Sequence, residues 1–246
     1  KICYIFFLMR KDVVFILSFI FFFYVINFSY NNTARRCAML QKITLIDDEI
    51  FKIKDDNSEE IYFSANQEWY HGERQRLAGC GPTTASMLIY YYNYKHSNII
   101  PPLKSNILAL MDEMWNFVTP EHRGIPTTSI FCEKLKKYLD ENNLNVSFNV
   151  LDIPEEKNNR PNFSTLVNFL KIGLENDKPI AFLNLCSGAE ENLDRWHWVI
   201  LFSIEYDIDN NILYAYIFDE NIIKKVNLEL WLNSTSLGGG FVYLNY

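Results

Sequence analysis

The sequence predicts an α+β fold, with a helical first half packed on an antiparallel, β-rich second half. Between about residues 81 and 175, apolar side chains recur three or four positions apart in separate stretches, as in amphipathic helices. From residue 179 onward the apolar stretches are shorter, rich in Val, Ile, Tyr and Phe, and divided by turn residues. Helices followed by strands, rather than alternating with them, indicate the α+β class.

Four helices are expected in the first half. The first runs from Gly81 to about Tyr94, and the second covers 104–117 after a Pro-Pro pair. The third opens at Thr128, and the fourth, capped by Asn162 or Ser164, runs to about residue 175. The polar stretch 66–81 is expected to be a loop. Strands are expected at 43–54, 60–64, 146–151, 179–185, 196–204, 211–218, 222–228 and 241–246.

Composition limits the class of protein. With 246 residues, of which 49% are hydrophobic, the chain can fill one core and is too apolar to be disordered. Its net charge of −7 argues against nucleic acid as a partner. The sequence has no C-x-x-C pair and no glycine-rich phosphate loop, so we expect neither a metal nor a cofactor.

The first 38 residues form a separate region. Residues 13–28 are almost entirely apolar and follow Arg10 and Lys11, as in a signal peptide or a short membrane anchor. An alternative is that 1–38 is translated upstream sequence. If both arginines of R-R-C-A-M are AGG codons, they spell a ribosome-binding sequence just before an ATG, and we therefore expect Met39 to be the true start.

The cellular compartment expected for the protein depends on whether translation starts at Met39. Residues 39–246 carry 18 basic and 29 acidic residues, for a net charge of −11, and retain three widely spaced cysteines. Three such cysteines do not suggest a disulfide framework and suit a reducing cytoplasm. If 13–28 is instead a real signal or anchor, the protein is secreted or held at a membrane.

Cys80 is the candidate nucleophile. It lies between two glycines in A-G-C-G-P-T-T, and Pro82 suits the first turn of a helix. The helix dipole and the free N–H groups at a helix start favour the thiolate form of such a cysteine. The expected function of the flanking glycines is to leave room for a substrate and to allow a tight turn. A small buried cysteine in a glycine turn is the alternative interpretation.

His197 is the candidate base, because it opens the apolar strand W-H-W-V-I-L-F, where its ring would be held rigidly and partly screened from water. Alternation along a strand predicts that Trp196 and Trp198 point to the face opposite the imidazole. The other histidines, at positions 71, 96 and 122, lie in or beside expected loops.

Two further residues complete the candidate site. Asp219 ends the next strand and can orient the imidazole if the two strands pair as a hairpin, with Glu220 as a competing carboxylate. The oxyanion needs an amide donor beside the Cys80 N–H. Gln67, which follows an expected strand, is favoured over Gln75, which lies within a polar loop.

In this order, S-A-N-Q, A-G-C-G-P-T-T-A-S-M-L, W-H-W-V-I and I-F-D-E resemble the papain-like cysteine peptidases, in particular the bacteriocin-leader (double-glycine) peptidase family. The resemblance covers roughly residues 60 to 220. It implies a papain-like fold over 39–246 and a Cys80–His197–Asp219 triad with Gln67 as oxyanion donor. The Gln67–Cys80 spacing is longer than in the leader peptidases, and no transporter region is present.

The expected function is therefore a cysteine peptidase-like hydrolase that acts on a peptide or protein. The same triad could transfer an acyl group to an amine. A non-catalytic or membrane-anchored binding protein of the same fold is the alternative from another class. The loop 119–128, with Gly124 and Pro126, is expected to border the substrate groove.

Overall fold

The computed structural model describes residues 40–120 and 124–246 of the protein. The leader or anchor expected over 1–38 and the start expected at Met39 lie outside the described residues. Gln41–Tyr246 forms one compact unit of helices and antiparallel strands, which confirms the α+β class. In the described part of the chain, no helix combines the length and the apolar character that crossing a membrane requires.

The β-structure consists of one seven-stranded antiparallel sheet and one small two-stranded ribbon. In the large sheet the strand order is β4-β9-β5-β6-β7-β8, with β1 also paired to β6, and the ribbon is β2-β3. The strands are β1 (Gln41–Thr44), β2 (Lys52–Lys54), β3 (Ile61–Phe63), β4 (Ser147–Ile153), β5 (Ile180–Asn184), β6 (His197–Asp207), β7 (Ile212–Asp219), β8 (Ile222–Asn227) and β9 (Gly239–Asn245).

The described residues contain six α-helices and three short 3-10 helices. The side chains of Thr127 and Asn162 accept the backbone N–H groups of Ile130 and Thr165, and so cap α4 and α5 as their residue types predict. The α-helices are α1 (Glu73–Ala78), α2 (Cys80–Lys95), α3 (Lys104–Phe117), α4 (Thr128–Glu141), α5 (Phe163–Glu175) and α6 (Leu228–Ser234). The 3-10 helices are Asp48–Phe51, Gln67–Trp69 and Lys157–Asn159.

The fold differs from the sequence-based expectation in three places. The strand expected over 43–54 is interrupted by the 3-10 helix Asp48–Phe51. The loop expected over 66–81 contains a 3-10 helix and α1. Asn227, expected near the end of a strand, instead caps α6 by accepting the backbone N–H of Leu230.

Helix α2 occupies the centre of the core. Its residues 80–93 are all buried, so this helix is covered on every side rather than along one apolar stripe. It packs against α3 and against the long strand β6. Because α2 begins with Cys80 and β6 begins with His197, this packing brings the ends of two distant segments together.

Candidate active site

Cys80 is the first residue of α2. The first hydrogen bond of the helix joins the Thr83 N–H to the Gly79 carbonyl at 2.9 Å, so the Cys80 and Gly81 N–H groups have no partner within the helix. Such free donors at a helix start favour negative charge on the neighbouring sulfur. The residue is 8% exposed, and its thiol donates a weak hydrogen bond to the Trp196 carbonyl at 3.9 Å.

The imidazole of His197 and the carboxylate of Asp219 form a close pair. His197 is the first residue of β6 and Asp219 is the last residue of β7, and these two strands pair antiparallel. The ring Nε2 lies 2.8 Å from Asp219 Oδ1, and the carboxylate side chain is only 3% exposed. With Nε2 held by Asp219, Nδ1 is the ring nitrogen left for proton exchange with a thiol.

The environment favours the charged forms of this pair. Burial lowers the pKa of His197, but the hydrogen bond to Asp219 and the interaction with the neighbouring Cys80 thiol outweigh burial and raise that pKa above the usual histidine value. Burial raises the pKa of Asp219, whereas His197 and Lys224 together hold it below its ordinary range. The charged, imidazolium form of His197 is therefore favoured in the pocket that Cys80 lines.

Cys80, His197 and Asp219 line one pocket, and Gln67 lies in its wall. The pocket encloses about 50 Å³, which is room for a few heavy atoms beside the sulfur. The structure thus brings the four residues singled out in the sequence to one place.

The two candidate glutamines are placed differently. Gln67 begins the 3-10 helix after β3, and its Nε2 donates to the Arg76 carbonyl at 2.7 Å. One amide hydrogen of Gln67 remains for another acceptor. Gln75 is away from the pocket, where its Oε1 accepts the Gly72 N–H and its Nε2 donates to Asp112. Of the two glutamines, Gln67 is therefore the one that lies at the pocket.

The two glycines beside Cys80 are needed for packing. A Cβ on Gly79 would lie 2.2 Å from the Gln75 carbonyl oxygen, and one on Gly81 would lie 2.7 Å from the Ile125 side chain. The space next to each glycine is thus filled by the protein and is not left for a substrate. Ile125 belongs to the 119–128 loop, which is described apart from 121–123 and packs onto the start of α2.

Trp196 does not follow the alternation expected for a strand. Its backbone is left-handed, with φ of 57°, and β6 begins only at the next residue. Trp198 is buried and stacks on Phe131, with ring centroids 4.3 Å apart, whereas Trp196 is 46% exposed. The turn at Trp196 brings its carbonyl to the Cys80 thiol.

The other described histidines lie elsewhere. His71 and His96 are exposed, and the His96 ring stacks on Tyr92. His122 is not among the described residues. The three cysteines of the described chain are all free thiols: Cys80, Cys132 and Cys186.

Several residues of the site were not predicted from the sequence. Glu68, Thr83 and Thr84 line the pocket. Lys224 Nζ lies 2.8 Å from Asp219 Oδ2, the carboxylate oxygen that does not contact His197. The two threonines follow the C-G-P motif directly, and this position at a helix start was the available signal for them. Glu220, weighed as a rival of Asp219, lines the same pocket but is not the carboxylate bound to His197.

The chain was compared with known protein families and with curated proteins. No family model matches it, and no curated protein matches it. Among residues 40–120 and 124–246, no group of three or more His, Cys, Asp and Glu side chains is placed to hold a metal ion.

Proposed function

We propose that the protein is a papain-like cysteine peptidase, a thiol hydrolase that cleaves a peptide or amide bond through Cys80, His197 and Asp219. One observation carries the proposal. Three residues far apart in the sequence, Cys80, His197 and Asp219, line one pocket, and His197 Nε2 lies 2.8 Å from Asp219 Oδ1. This is the arrangement that a base-activated nucleophile needs.

The arrangement of helices and strands around the pocket also supports the proposal of a papain-like peptidase. The nucleophile stands at the start of a fully buried helix, while the base and its carboxylate come from adjacent strands of an antiparallel sheet packed on that helix. We propose on this basis that residues 39–246 have the papain-like fold.

The first half of the reaction forms a thioester. His197 holds the proton of Cys80, and the sulfur attacks the substrate carbonyl, forming the C–S bond and a tetrahedral oxyanion. The Cys80 N–H and the remaining amide hydrogen of Gln67 donate to this oxyanion. As the C–N bond breaks, the imidazolium gives its proton to the leaving amine, and Asp219 keeps the ring oriented.

The second half releases the acyl group. The imidazole takes a proton from water, and the resulting hydroxide adds to the thioester carbonyl at the same donors. The C–S bond then breaks and the carboxylic acid leaves, so that the sulfur is again a thiolate and the ring keeps the proton from water as an imidazolium, ready for another turnover. Both halves need the same ring to accept and return a proton.

Acyl transfer to an amine is the second candidate. Two exposed carboxylates, Glu68 and Glu220, line the pocket and would attract a cationic amine to the thioester. Adding an amine such as a diamine during turnover separates the two outcomes. A transferase yields the amide of the added amine, whereas a hydrolase yields the free acid.

The free thiols support a reducing compartment. Cys80, Cys132 and Cys186 are unpaired, and we propose a cytoplasmic location if translation starts at Met39.

The test of the proposed activity uses the full chain with a library of quenched peptides, small amides and thioesters. Cys80→Ser should lower turnover about a thousandfold or more. Cys186→Ser, which changes another buried free thiol, should stay within about twofold of the wild type. Undiminished turnover in Cys80→Ser, or no turnover of any substrate by the folded wild type, would refute the proposal.

A further inference from the structure

Both oxygens of Asp219 are occupied. Oδ1 lies 2.8 Å from His197 Nε2, and Oδ2 accepts a hydrogen bond from Lys224 Nζ at 2.8 Å. The side chain of Lys224 is 18% exposed and that of Asp219 is 3% exposed. A buried carboxylate held by two donors at fixed positions cannot rotate without losing one of them.

The sequence places Lys224 there through the turn between β7 and β8. Glu220 and Asn221 both have positive φ, at 49° and 68°, as a two-residue hairpin turn requires. Asp219 therefore pairs with Ile222, and Lys224 pairs with Ile217. Ile217 and Asp219 are two apart on one strand, so Lys224 shares their face and reaches the carboxylate diagonally.

Charged groups from several structural elements face the ammonium group of Lys224. Lys224 Nζ lies 3.4 Å from Asp194 Oδ2 in the loop before β6 and 3.8 Å from Glu220 Oε2 in the hairpin turn. Beyond Asp219 stand the His197 ring of β6 and the Cys80 thiol of α2, with Glu68 also at the pocket. Asp194 and Glu220 are 60% and 65% exposed, so water screens them more than the buried Asp219.

We infer that Lys224 is a positioning residue of the proposed active site: it holds Oδ2 of Asp219 so that Oδ1 stays directed at the His197 ring. The inference rests on the proposed function and adds a residue to it. Lys224 touches no reacting atom, and it acts through Asp219.

The charge of Lys224 has a second consequence. It offsets the negative charge of Asp219, and without it the field at His197 and Cys80 becomes more negative. A more negative field favours the imidazolium and disfavours the thiolate. Removing the ammonium should therefore move both the appearance of the thiolate and the loss of the imidazolium to higher pH.

Lys225 provides a matched control. It is the next residue, it points to the other face of β8, and it pairs with Glu205 at 2.8 Å. Lys224→Met and Lys225→Met each remove one positive charge, so they differ only in where the charge was. Lys224→Arg keeps the charge and can still reach the carboxylate.

The experiment measures the rate of Cys80 alkylation by iodoacetamide against pH, read site by site by mass spectrometry, together with kcat/KM. Lys224→Met should shift the alkylation profile upward by roughly 0.5 to 1 pH unit and lower kcat/KM about tenfold, while Lys225→Met leaves both unchanged. Lys224→Arg should restore the wild-type profile. If Lys224→Met does not fold, Lys224→Gln gives the same comparison.

Identical profiles for the changes at 224 and 225 would overturn the inference. Alkylation needs no substrate, so the two proposals fail in different ways. A shifted profile without turnover of any substrate by the wild type would remove the proposed function and keep the charge coupling. Turnover with an unshifted profile would remove the positioning role alone.

Discussion

The start of α2 and the loop after β5 each carry a thiol that is 8% exposed, at Cys80 and Cys186. Ser236 Oγ donates to the Cys186 sulfur at 3.1 Å. With the Ser236 and Gly188 backbone N–H groups it lowers the pKa of Cys186 to about 7. Cys80 has the His197 imidazole instead. Donors can populate a thiolate, but only a base can take the proton and return it to a leaving group.

Cys132, the third thiol of the described residues, is held in its neutral form. Burial, with a contribution from the charge of Asp152, raises the pKa of Cys132 to about 12. The molecule thus contains an inert thiol, a thiol stabilised by donors and a thiol paired with a base. Reactivity toward an alkylating reagent alone does not separate the last two.

Removing the proposed base, His197, should separate the behaviour of Cys80 from that of Cys186 most strongly. His197→Gln takes away the proton acceptor, so turnover is expected to fall about a thousandfold. Alkylation of Cys80 at neutral pH should fall about tenfold, because the imidazolium that favours its thiolate is gone. Alkylation of Cys186 should not change. Peptide mapping of the labelled protein measures the two sites in one sample.

His96→Gln serves as the control for that variant, because His96 is exposed and stacks on Tyr92 away from the pocket. It should leave labelling and turnover at wild-type levels. Equal loss of labelling at Cys80 and Cys186 in His197→Gln would mean that the imidazole supports the fold rather than the thiol.

The proposed oxyanion donor, Gln67, should give the next largest effect. Gln67→Ala removes the amide at the pocket wall and should lower kcat about a hundredfold while leaving alkylation of Cys80 unchanged, because alkylation forms no oxyanion. Gln75→Ala removes a glutamine held by Gly72 and Asp112 and should have little effect on kcat. A larger loss of kcat in Gln75→Ala would reverse the assignment.

Much of the candidate active site could be predicted from the sequence because its residues lie at the ends of helices and strands. Cys80 begins a helix, His197 begins a strand and Asp219 ends one, and these ends were marked by the C-G-P motif and by the polar turn residues that flank the apolar strands. Tertiary pairing then decides which ends meet, and the antiparallel pairing of β6 with β7 could be proposed from their adjacency in the chain.

The features that the sequence did not predict depend on local backbone geometry, which hydrophobic periodicity does not reveal. Lys224 reaches Asp219 only because the turn at 220–221 has two residues, and an additional residue would change its face. Trp196 departs from alternation because its backbone is left-handed, an uncommon conformation for a bulky residue. Helix α1 is short and lies in a polar stretch, so it gives no apolar period to detect.

The last and smallest change is expected at Cys186, the buried thiol that has no histidine beside it among the described residues. Ser236→Ala removes the hydrogen bond to the Cys186 sulfur, so the thiolate loses stabilisation and the pKa of Cys186 rises from about 7 toward the free value of about 8.5. At pH 7 its thiolate fraction then falls below about one half, while the Ser236 and Gly188 backbone N–H groups still favour the thiolate. Site-resolved alkylation against pH should show this shift at Cys186 alone.

Ser234→Ala is the matched control, because the Ser234 hydroxyl bonds Ala189 and Leu230 and not the sulfur. It should leave the Cys186 profile in place. If Ser236→Ala also moved the Cys80 profile or lowered turnover, the two thiols would be coupled through the chain between β5 and β6. An effect confined to Cys186 would show that hydrogen-bond donors can stabilise a thiolate away from the proposed active site.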